Sequence, residues 1–370
     1  MNAGAAPQSQ WALIRRRFGR HLLAVASLYI IIGLYLVALF ADFIAPYSAN
    51  FRDRERITAP PQVVSWSWQH GLHAPNLIRH RDPVTMRVTY VVRTEAPVPM
   101  GFMVSGEPWH LFGFIPIERR LFGVDRAAWE QIHPGQAVPT VNLLGADLIG
   151  QDVCSRIIIG SRVSLSIGLI AIVVTFALGI SIGGISGYVG GRTDTVLQRL
   201  IEVINAFPQL PMWLALAALV PADWSPLMVY FGITIVLSLL GWTGLARVVR
   251  GKILSLREED YCTAARLTGA SHGRILFVHL LPGFTSHIIV CLTMAIPGMI
   301  MGETAMSFLG LGLKPPVVSW GVMLQSGSNL QAVALFPWLL TPVLFIILTM
   351  LAFNFFGDGL RDAADPYASR

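Results

Sequence analysis

Six long apolar runs, near 21–46, 163–187, 200–221, 226–246, 285–311 and 336–357, leave this chain few ways to fold. Each is close to the ~20 residues a helix needs to cross the hydrocarbon core of a bilayer. Charge between them is scarce: 13% of the 370 residues are Asp, Glu, Lys or Arg, against about 25% in soluble domains. The fold class expected is an all-α polytopic membrane protein with six transmembrane helices. The first run exceeds the ~7–15-residue apolar region of a signal peptide, and no small-residue cleavage site follows it. It is read as a retained span.

The net charge is +6, and its placement says more than its sum. Basic residues flank the spans and do not interleave with aromatics, which excludes a nucleic-acid-binding face. With the N-terminus inside, the interior segments carry Arg15, Arg16, Arg17 and Arg20; Arg192 and Arg199; Arg247, Arg250, Lys252, Arg257, Arg266 and Arg274; and Arg361 and Arg370. The short exterior connections hold only Lys314. The positive-inside rule therefore predicts cytoplasmic termini and a cytoplasmic 247–284 loop. The domains expected are a tail over 1–20, a first helix over 21–46, an exterior insertion over 47–162, a five-helix core over 163–357 and a tail over 358–370.

The insertion is too long for an ordinary connection. Val84–Arg93 is rich in β-branched residues and predicts a strand, so a mixed, β-containing domain is expected. Pro60, Pro61, Pro75, Pro83, Pro97, Pro99 and Pro108 are expected to break up the rest. Trp66, Trp68, Trp109 and Trp129 are expected to form a small core or to sit at the interface belt, packing being favoured over a ligand-binding role.

Searches for catalytic chemistry return little. There is no phosphate-cradling glycine loop carrying a lysine, no H-E-x-x-H and no C-x-x-C. Cys154, Cys262 and Cys291 fall outside, inside and within a span, so no pair is expected to bridge. His70, His73 and His80 lie in a polar, Pro-rich stretch and read as solvated. Glu303 lies inside the fifth span, where a charge costs about 2.5–3.5 kcal/mol on insertion scales. It must face the bundle interior or a wet cavity, with Ser307 beside it as a pathway or packing residue. Glu202 reads as interfacial. No ladder of buried acids crosses the spans, as a proton-coupled carrier would require.

One stretch breaks the apolar pattern. Arg257–Pro282 is a charged island between two spans. Glu258, Glu259 and Asp260 sit where a helix N-terminus favours negative charge. Tyr261, Ala264, Ala265 and Thr268 recur at helical spacing and form a narrow contact stripe. Gly269 is placed to end this helix. A second helix is predicted from Arg274 to Leu281, stopping at Pro282. The result is a helix–glycine–helix elbow, fit either to dock on a partner or to lie on lipid.

The pattern Ala264-Ala265, Gly269, Leu281-Pro282 resembles the EAA loop of permease subunits in bacterial binding-protein-dependent ABC importers, with Thr263 and His279 where Glu and Ile are usual. A wider likeness is to the C-type permease of the dipeptide/oligopeptide/nickel group. Gly145-Ala146-Asp147, Gly150-Gln151-Asp152 and Ser155-Arg156 are similar to its exterior motif, Ala146 and Gln151 replacing Thr and Arg. Gly187-Tyr188, Gly190-Gly191 and Asp194 resemble a cytoplasmic turn, Glu303–Gly312 and Ser319-Trp320-Gly321 the fifth span and its exit, and Asn354–Asp362 the C-terminal signature. The likeness is close over 143–370, loose over 1–46 and insecure over about 50–140.

The resemblance implies the type I ABC importer permease fold and a non-catalytic subunit in the bacterial inner membrane. It would form half of a pathway with a second, B-type permease. Two ATPase subunits would hold the ATP and Mg, this chain binding no cofactor, and an extracytoplasmic solute-binding protein would deliver a dipeptide or oligopeptide. A sugar, an opine or a nickel chelate is the alternative cargo. Two other classes stay open: an ion-coupled carrier or channel, and a membrane-anchored binding protein built around the insertion.

Overall fold

The structure, a computed structural model, describes residues 10–84, 88–111, 115–221 and 223–364. Thr85–Arg87 of the expected strand, and the tail beyond Ala364 with Arg370, lie outside the described residues. In chain order the elements are α1 (Gln10–Phe18), α2 (Leu22–Leu39), α3 (Ala41–Ile44), β1 (Ser65–Ser67), β2 (Gly71–Arg81), β3 (Val88–Leu111), β4 (Ile115–Val124) and α4 (Arg126–Ile132). There follow α5 (Val153–Val189), α6 (Gly191–Ala206), α7 (Gln209–Ala217), α8 (Pro226–Leu256), α9 (Asp260–Leu267), α10 (His272–Arg274), α11 (Thr285–Phe308), α12 (Trp320–Ser326), α13 (Leu330–Leu335) and α14 (Thr341–Ala364).

Five helical stretches among the described residues are long and apolar enough to cross a membrane. They are Leu22–Leu39, Val153–Val189, Pro226–Leu256, His272–Phe308 and Pro337–Ala364. The bent pair α6–α7 makes a sixth if counted as one span. At most 44% of any of the five apolar windows is buried, so most of this apolar surface faces outward, as a lipid solvent requires.

Three span expectations are corrected. The second starts at Val153, ten residues before 163, because Asp152 caps it and the mixed run to Arg162 is helical. The third is two helices bent by 88°. Pro208 sits between them in extended geometry (φ −60°, ψ 131°), and a proline both lacks an N–H and pushes its predecessor out of the helical region. The fifth does not begin after a stop at Pro282. Ile275–Leu280 is a π-turn and Leu281–Phe284 a 3-10 turn, and together they carry the helix from His272 to Phe308. Pro282 cannot donate to the Val278 carbonyl, and changing the hydrogen-bond step on either side accommodates the gap.

The chain divides into two compact units. The first comprises residues up to Gly33, Ser166–Met306 and Ile347 onward. Small residues bring its helices close: Gly179, Gly183 and Gly187 form one face of α5, and a β-carbon at each would collide with Leu245, Ala246 or Arg250 of α8. Such stripes pack helices where lipid supplies no hydrophobic drive. Ser238 Oγ donates to the Ala171 carbonyl at 3.2 Å, and the Ser166 and Tyr230 hydroxyls share a hydrogen bond at 2.8 Å.

The second unit is Leu34–Leu165 with Ser307–Ile346. It holds an antiparallel sheet in the order β1-β2-β3-β4. β3 pairs with β2 through its first half and with β4 through its second. The expectation that the prolines break this region is corrected, since Pro75, Pro97, Pro99 and Pro108 lie within strands. The register slips at Ala74/Asn76 and again at Ser105/Trp109, where Pro75 and Pro108 have no N–H for the ladder. Trp129 packs with Val98, Met100, Val124 and Val141, and Trp109 is also buried. Trp66 and Trp68 are 59% and 92% exposed, so of the four tryptophans only Trp109 and Trp129 are buried. Arg120 is buried and donates to the carbonyls of Asp42 (3.1 Å) and Ala45 (2.8 Å), closing the C-terminal end of α3. Burial holds its pKa below the usual arginine range.

A neck closes the insertion. Thr58 N donates to the Asp147 carbonyl at 3.0 Å, Ala146 N to Ala59 at 2.9 Å, and Gln62 N to Asn142 at 2.9 Å. Gln62 Oε1 accepts from Asn142 N at 2.7 Å.

Candidate functional site

The elbow of the charged island lies in the first unit. α9 runs from Asp260 to Leu267, two residues shorter at its start than expected. Glu259 is the N-cap residue but makes no side-chain cap, so Asp260 alone places a carboxylate in the first turn. Glu258 instead pairs with Arg257 at 2.9 Å. The helix ends in a Schellman motif: Ala270 N donates to Ala265 O and Gly269 N to Arg266 O, both at 3.0 Å. Gly269 sits at φ +82°, a left-handed conformation that costs other residues roughly 1–2 kcal/mol.

The expected stripe divides between two faces. Cys262 and Ala265 are buried among Ile253, Ile275 and Leu280. Tyr261, Ala264, Thr268 and Gly269 are exposed. Ala265 therefore anchors the helix, and the exposed residues border an open depression of about 790 Å³ with Arg274 and His279. Leu281 is half-buried and Pro282 exposed, within the turn that continues toward α11.

Contacts missed as site residues fix the elbow to the α5–α6 turn. Arg257 Nη1 donates to the Gly187 carbonyl at 3.0 Å. The Arg266 guanidinium lies 5.4 Å from the Tyr188 ring centroid, and His272 Nδ1 is 3.2 Å from the Tyr188 hydroxyl. Asp194 accepts two bonds from Arg250, both at 2.5 Å, and one from Ser186. The Gly190-Gly191 pair between Tyr188 and Asp194 signals a tight turn here, both at positive φ. Which helix the turn holds depends on long-range contacts that local spacing does not carry.

The exterior motif is an interlocked knot in the second unit. Asp147 Oδ2 accepts from Arg156 at 3.1 Å, while its Oδ1 accepts from Ile149 N and Gln151 N. Asp152 Oδ2 accepts from the backbone N and the hydroxyl of Ser155, each at 2.7 Å, and Oδ1 from Asn142 at 3.0 Å. Burial raises the Asp152 pKa against the pull of those three bonds. Gly150, at φ +80°, lies so close to the Asp53 carbonyl that a β-carbon would overlap it, and Asp53 N donates to Gly150 O at 2.9 Å. This geometry orders backbone and presents no open reactive group.

Glu303 is fully buried in the first unit. Ser307, in the second, is equally buried and accepts from Leu313 N at 3.0 Å. The two side chains are thus divided between the units. Glu202 is exposed and pairs with Arg199 at 2.6 Å.

Comparison with known proteins gives these features a context. Residues 179–370 match the family described as the binding-protein-dependent transport system inner membrane component. Residues 9–61 match the N-terminal transmembrane domain of oligopeptide transport permease C. The chain is 40% identical over 223 residues to an oligopeptide transport system permease protein, OppC, of Bacillus subtilis, covering 60% of this chain and 70% of the relative. It is 36% identical over 264 residues to OppC of Haemophilus influenzae, covering 71% and 79%. It is 40% identical over 228 residues to a dipeptide transport system permease protein, DppC, of Bacillus subtilis, covering 61% and 69%. The stretch 62–178, with the sheet and the knot, lies between the two family matches.

Proposed function

This chain belongs to the binding-protein-dependent transport system inner membrane components, and from that premise we propose that it is one permease subunit of an ATP-driven peptide importer. The elbow is the observation that carries this reading. A short helix anchored by Cys262 and Ala265 exposes Tyr261, Ala264 and Thr268 beside an open depression. It is capped by a glycine that can hold or change its angle. Such a piece transmits force across a protein contact, whereas a helix resting on lipid would expose a continuous apolar face; here α9 exposes Asp260, Thr263 and Arg266 as well.

In this reading a second, B-type permease completes the pathway. Two ATPase subunits dock on the elbows from the cytoplasm and hold the ATP and Mg, so this chain itself binds no cofactor and catalyses no reaction. An external binding protein delivers a dipeptide or oligopeptide, a cargo supported by the names of the relatives. In this reading both termini and the elbow lie on the cytoplasmic side of the bacterial inner membrane, which the basic flanks support. Closure of the ATPases pulls on α9, and the continuous helix from His272 to Phe308 carries the displacement into the bundle.

Reconstitution tests this directly. The complex purified through this chain should contain an ATPase and take up labelled peptide only with ATP. A cysteine at Ala264 should crosslink to that ATPase. Uptake that persists without any copurifying ATPase sinks the proposal.

A further inference from the structure

The bend in the third span opens a cavity that the elbow does not use. It lies in the first unit, where α6, α7 and α8 meet, with a volume of about 390 Å³, inside the ~300–1,000 Å³ range of small-molecule sites. Its polar lining includes several donors. Arg247 faces it and enters no ion pair among the described residues. No Asp or Glu lines it. Thr243 Oγ1 lies 3.0 Å from Asn205 Oδ1 and 3.2 Å from the Leu240 carbonyl, which share its one proton, and the Asn205 amide nitrogen is a further donor in the lining. The start of α7 adds two further donors. Pro208 gives the helix no side-chain cap, so the N–H groups of Gln209 and Leu210 lack intrahelical acceptors, and the positive end of the helix is beside Gln209 in the lining. Phe207 and Met212 supply an apolar wall.

A cation, an amide donor and an uncapped helix start beside an apolar wall suit one ligand chemistry: a carboxylate attached to an apolar side chain. We propose that this cavity is a subsite on the solute path that receives the free C-terminal carboxylate and last side chain of a peptide. The cargo class rests on the function proposed above; the carboxylate preference rests on the cavity alone. A bent helix pair is a suitable place for it, because N–H groups freed at the break can line a cavity.

The test uses the assembled importer in nanodiscs of neutral phosphatidylcholine. Saturation-transfer NMR measures binding of N-acetylphenylalanine and of its carboxamide. Wild type should bind the acid about tenfold more tightly. Arg247→Gln should bring the ratio close to one, and Arg247→Lys should keep part of the preference. Gln209→Glu, a substitution that a first helical turn accepts, should abolish the preference in a folded complex. Equal binding of acid and amide by wild type, or an unchanged ratio in Arg247→Gln, overturns the subsite. Loss of the acid's binding in phosphatidylglycerol discs would assign the cavity to a lipid headgroup and also overturn it. Uptake then separates the two claims. An acid preference in a complex that imports no labelled peptide refutes the cargo and leaves the subsite standing. Peptide import without the preference does the reverse.

Discussion

Substitutions at Gly269 separate strain from docking. The glycine adopts φ +82° with nothing within 4 Å of where a β-carbon would sit. Any L-residue with a β-carbon therefore pays the left-handed strain, roughly 1–2 kcal/mol, and meets no clash inside this chain. That energy is a factor of about 5–30 in the population of the intact elbow. Gly269→Ala carries the strain alone. Gly269→Asn carries less of it, because asparagine visits this conformation more readily. Gly269→Trp carries the same strain as Ala and fills the depression beside Tyr261 and Thr268. The assay is solute-stimulated ATP hydrolysis by the assembled complex, with membrane insertion as a control. Stimulation should be near wild type for Asn, reduced up to tenfold or so for Ala and abolished for Trp, with insertion intact throughout. Equal losses for Ala and Trp would refute the depression as the contact surface. An Asn variant as poor as Ala would refute strain as the cause.

Three other substitutions test the scaffold. Gly150→Ala should destabilise detergent-solubilised protein well beyond Gly135→Ala. Both sites have φ near +80°, but only Gly150 adds an overlap with a carbonyl, about 1–3 kcal/mol more; equal shifts in thermal midpoint would contradict this. Asp152→Ala removes three hydrogen bonds and the cap of α5, and should cost about 2–3 kcal/mol in denaturant unfolding, with Asp152→Ser recovering part of it. A double-mutant cycle on Asp194 and Arg250 should give a coupling of about 1–2 kcal/mol, since the pair is bidentate and mostly shielded; additive effects would show that it contributes nothing.

The sequence announced the spans and the elbow because both rest on local signals. Apolar length marks a membrane helix, and Gly269 after Ala264-Ala265 marks a helix end whose chemistry is local. Proline misled in both directions. Pro282 promised a stop, but neighbouring π and 3-10 turns absorb it. Pro208 sits in an apolar run that reads as one helix, yet the chain there turns by 88°. The start of α5 was hidden because Ser155, Arg156, Ser161 and Arg162 interrupt the apolar pattern, and only the Asp152 cap shows where the helix begins. In the stripe, helical spacing grouped Ala265 with Tyr261, but the surrounding core buries Ala265 and leaves Tyr261 exposed, a division that spacing alone does not carry. Tyr188 and Asp194 could be noticed in the sequence but not assigned, since their partners lie 56 to 84 residues away.

The neck that pairs 58–62 with 142–147 has a consequence for the history of this chain. Once the entry and exit segments are tied to each other, whatever hangs beyond them closes its own loop. Its length adds little entropy to the rest of the fold, about 0.6 kcal/mol per doubling. The neck is thus a graft point, where an exterior module can be exchanged, trimmed or enlarged across generations while the α5 cap and the spans that follow inherit an unchanged boundary.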